Sequence, residues 1–195
     1  VQSRKRYPDM AAEAGDPLLI MQPINSRETV YFFSNQGRAL TLQGHQLPTT
    51  RIQVSKLVRL EEDEQVIAIE HTDGTNPEMF VSLLTKNGKV KRLEMEQMQG
   101  IPSSGDSIIG LSSGDSLVGA FLTSGSQDLM VITAVGKAIR FAEDSVRPQG
   151  KSGGGIKAIS LSDDDSVVAA AVVDDDQTLI MGTAAGFGRR TSIKE

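Results

Sequence analysis

The chain has no cysteine and no tryptophan, and only 4% of it is aromatic. Without thiols, disulfides and thiolate metal sites are excluded. There are two histidines, His45 and His71, each in a turn-like setting, so neither a histidine metal centre nor a catalytic triad is suggested. Long apolar runs are missing too. Stretches such as Val167–Val173 are far too short to cross a bilayer. The polar start Val1-Gln-Ser-Arg-Lys-Arg6 carries no secretory signal and reads as a fragment boundary, so the expected location is cytoplasmic. No segment sustains a helical apolar period with caps; residues 8–14 offer one helical turn at most.

What is abundant is glycine, 19 in 195 residues, which suits a turn-dense all-β chain. The formal net charge of −5 taken alone argues against nucleic acid. The signs are segregated, however. Acids bunch at Glu61–Glu64, Asp163–Asp165 and Asp174–Asp176, while bases cluster elsewhere. Such segregation can put an acidic face and a basic rim on one molecule.

The chain repeats one stretch four times: an apolar run, a Ser or Thr, two residues, a Gly, then a basic second strand. The copies are Thr29–Leu42, Met79–Leu93, Asp128–Phe141 and Thr178–Thr191. Their glycines, Gly37, Gly88, Gly136 and Gly186, are spaced by 51, 48 and 50 residues. The hydroxyls Ser34, Thr85, Thr133 and Thr183 each lie three before the glycine. Each copy reads as a β-hairpin with the glycine supplying a positive φ at the turn. A second block recurs in phase: Leu60, Leu111 and Leu161, an acidic turn, then an apolar strand beginning at Val66, Leu117 or Val167, with Leu18 as its upstream copy.

Each unit of about fifty residues thus holds about four short strands, for example 66–70, 79–84, 89–93 and 108–111, which is the pattern of propeller blades. The expected fold class is all-β: a propeller-like ring of about four visible four-stranded blades, its closure left open. The chain reads as a single domain over residues 1–195, with units at about 18–65, 66–116, 117–166 and 167–195 and residues 1–17 as the tail of a truncated upstream blade.

Catalytic motifs fail their tests. Gly150-Lys151-Ser152 lacks the earlier glycine of a phosphate loop, since position 145 is Ser145. Gly182–Gly188 does not fit the dinucleotide fingerprint. The aspartate triplets lack the alternating ligands of a calcium loop and read as solvated turns.

The bases keep better order. Arg38, Lys89 and Lys137 directly follow the glycine; Arg92, Arg140 and Arg190 stand fourth after it; Lys91 and Arg189 stand third. The loop Arg147–Lys157 adds Arg147, Lys151 and Lys157. Repetition would array these around an outer edge, suiting a polyanion that bends around the protein; the plainer reading is solvated strand ends.

These residues resemble the C-terminal domain of the DNA gyrase A protein and, less closely, that of its A-type counterpart in topoisomerase IV. The resemblance rests on Phe32–Arg38, Thr85–Arg92, Gly136–Lys151 with Gly155–Leu161, and Gly186–Thr191, and covers about residues 15–195. It implies a β-pinwheel whose blades exchange strands, a DNA-binding and DNA-wrapping role in a type II topoisomerase, and a bacterial, nucleoid-associated location. It implies DNA contacts at Arg38, Lys89, Lys91, Arg92, Lys137, Arg140, Arg147, Lys151, Lys157, Arg189 and Arg190, with Gly37, Gly88, Gly136 and Gly186 as structural turns. No cofactor or metal is expected in this chain. ATP and Mg2+ would serve other parts of the parent enzyme. The expected partners, besides double-stranded DNA, are the gyrase A catalytic core and the B-type ATPase protein.

Three departures qualify the match. The Gln-Arg-Arg-Gly-Gly box of gyrase is missing, Gln149–Gly155 being a loose echo; Thr41 stands where other copies have Arg; and the chain stops inside a blade. The DNA-cleaving tyrosine of the family belongs to another domain, and Tyr7 and Tyr31 have no setting for that chemistry. The alternative is a β-propeller for protein–protein interaction without nucleic-acid binding.

Overall fold

The computed structural model describes residues 22–50, 52–76, 78–183 and 185–194. The truncated tail at 1–17, the helical turn at 8–14, Leu18 and Tyr7 lie outside these residues. Among the described residues there are strands and short 3-10 turns and no α-helix, in keeping with the all-β expectation.

The strands run β1 (Thr29–Ser34), β2 (Arg38–Gln43), β3 (Val66–Thr72), β4 (Phe80–Thr85), β5 (Lys89–Glu94), β6 (Asp106–Ser107), β7 (Leu117–Thr123), β8 (Asp128–Thr133), β9 (Ala138–Ala142), β10 (Ile156–Lys157), β11 (Val167–Val173), β12 (Thr178–Gly182) and β13 (Gly188–Ser192). They form four separate sheets, ordered β3-β1-β2-β6, β7-β4-β5-β10, β11-β8-β9 and β12-β13. All pairings are antiparallel.

Each repeat is therefore a hairpin, but four consecutive strands do not make one blade. The chain leaves the first hairpin, returns as β3 to pair with β1, builds the second hairpin, and comes back as β6 to edge β2. It does the same one blade later with β7 and β10. This is the strand exchange that the resemblance implied. The expected fourth strand at 108–111 is realised as the two-residue β6 just before it, because only Asp106 and Ser107 lie opposite Ala39 and Arg38.

The turn explains the hydroxyl–glycine phase. In all four hairpins the glycine amide donates to the carbonyl three residues back (Gly37 to Ser34, Gly88 to Thr85, Gly136 to Thr133, Gly186 to Thr183), at 2.9–3.0 Å. The Ser or Thr Oγ then accepts the amide just after the glycine, at 3.3 Å in the first turn and 3.2 Å in the rest. The repeated leucine covers the first two of these turns: a Cβ on Gly37 would lie 3.1 Å from Leu111, and one on Gly88 3.3 Å from Leu161.

Burial falls along the chain. In β1 and β4 five of six residues are buried, both faces included. β8 alternates, and β12 buries none. A sheet covered on both faces reads as a continuous apolar run, whereas one covered on a single face alternates. One cluster (Tyr31, Phe33, Val81, Leu83, Leu93, Ile108, Leu117) joins the first two blades, and another (Leu84, Val90, Leu129, Val131, Val167) joins the second and third. The far face of the first blade is covered by the 44–65 segment, through Val58, Val54 and Leu47 packing around Val30, Phe32 and Leu40. Backbone bonds tie the blades as well: Leu117 and Val167, which open β7 and β11, donate to Asn35 and Lys86 in the preceding blade's turn, each at 2.9 Å.

The turns differ in how much they tolerate. Gly88 has φ +79, and a Cβ there would sit 3.0 Å from both Cγ2 and the carbonyl oxygen of Ile159. Gly136 has φ +86 with nothing within 4 Å. Gly136→Ala should cost about 1 kcal/mol through backbone strain alone, and Gly88→Ala about 2–3 kcal/mol through strain plus crowding. Thermal melts should place Gly88→Ala several degrees below Gly136→Ala; equal melting temperatures would refute the crowding at Gly88.

Candidate nucleic-acid interface

The three basic positions after the turn glycines sit differently, and none of them forms an unbroken outward row. Directly after the glycine, Arg38 and Lys89 start the second hairpin strand and Lys137 immediately precedes it. Arg38 is committed to the protein: its Nη1 lies 2.5 Å from buried Glu64, and its Nη2 donates to the Ser104 carbonyl. Lys89 Nζ donates to the Ser112 hydroxyl at 2.8 Å and has no carboxylate within ion-pair distance among the described residues. Lys137 is exposed. Lys89 also stands opposite Lys157 across the β5–β10 pair, where β10 is the outermost strand of the second blade. The matching place on the first blade holds Arg38 opposite Ser107.

The third position does not face outward. Lys91 is fully buried. Its ammonium donates to the carbonyls of Ile108, Lys151 and Gly153 at 2.7, 2.8 and 2.8 Å. Burial pushes its pKa down from 10.5 to about 8. Strand β5 lies in the sheet covered on both faces, so alternation sends this side chain into protein, and the expected place for Lys91 on an outer row is corrected.

The fourth position is an interblade strut. Thr41 Oγ1 donates to the Ile101 carbonyl. Arg92, buried, lies over the Phe80 ring at 3.6 Å and donates to the carbonyls of Glu143, Val146 and Gly125 at 3.3–3.5 Å. Its Nε lies 3.7 Å from Glu143, whose carboxylate is fully buried and accepts Thr123 Oγ1 and the Gly125 and Gln127 amides. Arg140 binds Asp128 within the blade and Asp175 and the Ile193 carbonyl on the next. The Arg140 guanidinium, by hydrogen bond and charge, holds Asp175 below the ordinary carboxylate range. The expected outer place for Arg92 is corrected as well: its guanidinium is used between blades. In the last hairpin, Arg189 and Arg190 are exposed on β13.

In the 147–157 loop, Arg147 and Lys157 are exposed and Lys151 Nζ binds Asp106 at 2.6 Å. Of the bases expected to meet DNA, Lys137, Arg147, Lys157, Arg189 and Arg190 are exposed and Lys89 is half-buried, and these six have no carboxylate within ion-pair distance among the described residues.

The acidic bunches are partly internal. Asp115 accepts the Asn87 and Ser116 amides, both at 2.9 Å. Asp165, buried, accepts those of Val135 and Ser166. Burial alone would raise the Asp165 pKa; the Thr133 hydroxyl, these amides and Lys137 outweigh it and hold the group low. The turns that looked merely solvated cap the hairpins. Sequence reasoning missed Glu64 and Glu143 as the carboxylates that neutralise Arg38 and Arg92. A signal was available for Arg140 alone: Asp128 stands a diagonal step away across the hairpin, where Phe80 stands beside Arg92.

The hairpin-plus-returning-strand unit is also what comparison with known proteins isolates. Residues 28–73, 80–124 and 127–174 match the family described as the DNA gyrase C-terminal domain, β-propeller. Each matched span runs from the first strand of a hairpin through the strand that returns to pair with it. The DNA gyrase A protein of Escherichia coli is 34% identical over 176 residues, covering 88% of this chain and 20% of that protein. The DNA gyrase A protein of Aminobacterium colombiense is 29% identical over 189 residues, covering 95% and 23%. The chain thus spans between a fifth and a quarter of the length of these curated relatives. A crystal structure of the C-terminal domain of DNA topoisomerase IV superposes with a TM-score of 0.84 at 25% identity, covering 96% of this chain and 60% of that one. A DNA gyrase A C-terminal domain superposes at 0.75 with 20% identity over 88% and 56%, a likeness of fold alone. With three hairpin units matched and a traded strand in each of the first two blades, the chain belongs to the DNA gyrase C-terminal domain family of β-propellers.

Proposed function

We propose that this chain binds double-stranded DNA along the outer edge of its blades and wraps it, as the non-catalytic C-terminal part of the A-type protein of a type II topoisomerase. The observation that carries the reading is the Lys89–Lys157 pair on the outermost strands of the second blade. Lys137, Arg147, Arg189 and Arg190 are exposed beside it in sequence, on the third and fourth hairpins and the loop between blades. Cations on consecutive blades suit phosphates on a bent duplex, and phosphate contacts position without reading sequence.

In the parent enzyme the wrapped segment would be handed to a catalytic core and a B-type ATPase partner for strand passage, with ATP and Mg2+ used there. If roughly six phosphates are contacted, affinity for a random duplex should fall about a thousandfold between about 50 and 200 mM salt. Fluorescence anisotropy of a labelled duplex reads this directly. Affinity that did not change with salt, or no retention of DNA at low salt, would favour a protein-interaction propeller instead.

A further inference from the structure

The clefts between successive blades are copies of one another, and one of them is missing a part. Counted from the turn glycine, Thr29, Thr41 and Gln43 line the first cleft where Phe80, Arg92 and Glu94 line the second. Gly74 and Gly125, both at positive φ, occupy the same turn before the next hairpin. In the second cleft the chain supplies its own cation, the Arg92 guanidinium stacked on Phe80 and donating to the Gly125 carbonyl at 3.3 Å. At the third blade Arg140 makes the same crossing to Asp175 and Ile193.

Thr41 is too short for that role and reaches only the Ile101 carbonyl. The first cleft accordingly stays open, as a cavity of about 730 Å³ between Thr29 and Thr41 on one side and the Met95–Ile101 turn on the other. Its walls carry the hydroxyls of Thr29, Tyr31 and Thr72, side-chain amides and the Glu96 carboxylate, with no lysine or arginine among the described residues. Such a lining gives phosphate no cation and offers acceptors and a flat ring to a planar donor cation.

We infer that the cleft between the first and second blades is a binding site for a guanidinium group brought from outside. The group stands where Arg92 and Arg140 stand in the sister clefts. The chemistry is the same whether it arrives as the arginine side chain of a protein segment or as a free small guanidinium compound.

Amide-resolved NMR of the chain titrated with methylguanidinium, with an acetylated Gly-Arg-Gly amide and with its lysine counterpart tests this. Saturable shifts are expected at Thr41, Gly74 and Gly100, with dissociation constants of about 1–10 mM, as befits so small a ligand. The lysine peptide should bind about tenfold more weakly. An arginine peptide binding several-fold tighter than methylguanidinium points to a protein source, and equal affinities to a free compound. Thr41→Arg should abolish the shifts and raise the melting temperature, because the chain then fills its own cleft. Glu96→Gln, on an exposed side chain, should weaken binding several-fold without changing the melt. No saturable shifts in the native chain, shifts centred elsewhere, or full binding in both variants would overturn the site.

Discussion

Replacing Lys89, Lys137 and Lys157 together by glutamine should weaken duplex binding about a thousandfold near 50 mM salt and lower the slope of log affinity against log salt by about three. Each removes one released counterion, and the effect should be the same on any duplex sequence. The three are chosen from structure. Lys89 and Lys157 face each other on the rim of the second blade, and Lys137 lies exposed just before the second strand of the third hairpin. None has a carboxylate partner among the described residues, so the melting temperature should hold within the range of ordinary surface changes. Arg38, by contrast, pairs with the buried carboxylate of Glu64. Its replacement should lower stability and leave the salt slope nearly unchanged. An unchanged slope in the triple variant would sink the rim as the DNA track.

The hairpins were readable from the amino acids because their causes are local. A hydroxyl three before a glycine closes the same two hydrogen bonds in every copy, and a positive φ admits little else at the turn. The exchanged strands were not readable at their true places. β6 and β10 are two residues each, Asp-Ser and Ile-Lys, too short to show a pattern, and owe their existence to the β2 and β5 edges they meet. The rows of bases were half readable. A rule that every second residue faces solvent works for a sheet with one wet face. It fails for β5, where Val90, Lys91, Arg92 and Leu93 are all buried because blades cover both sides. Charge is no sign of exposure there, since Lys91 and Arg92 carry theirs inside on backbone carbonyls. Glu64 and Glu143 were hidden for the same reason: in an acidic chain nothing in composition separates the carboxylate that braces an arginine from the one that merely solvates a turn.

Lys91→Met should cost the fold about 3–5 kcal/mol, a larger loss than at any turn glycine. The ammonium joins both exchanges at once. It takes the Ile108 carbonyl just past β6 and the Lys151 and Gly153 carbonyls just ahead of β10. Methionine fills the stem's volume but donates nothing. Gly153 O keeps its bond from the Gly110 amide, while the Ile108 and Lys151 carbonyls lose the ammonium, at about 1–3 kcal/mol for each buried acceptor left unmet. Denaturant unfolding of the two proteins measures the difference. It should carry a pH signature whose sign is fixed by the buried ammonium. The folded pKa of about 8 lies below the 10.5 of the free group, so unfolding takes up a proton between those values. Native stability should therefore climb relative to Lys91→Met as pH rises through that window, by at most about 1.4 kcal/mol per pH unit, and the gap should be flat below it. A gap that stayed flat from pH 8 to 10 and narrowed only above about 10.5 would mean that the carbonyl cage holds the proton more tightly than water does. A variant as stable as the native chain would mean that the cage is not what pins the traded strands.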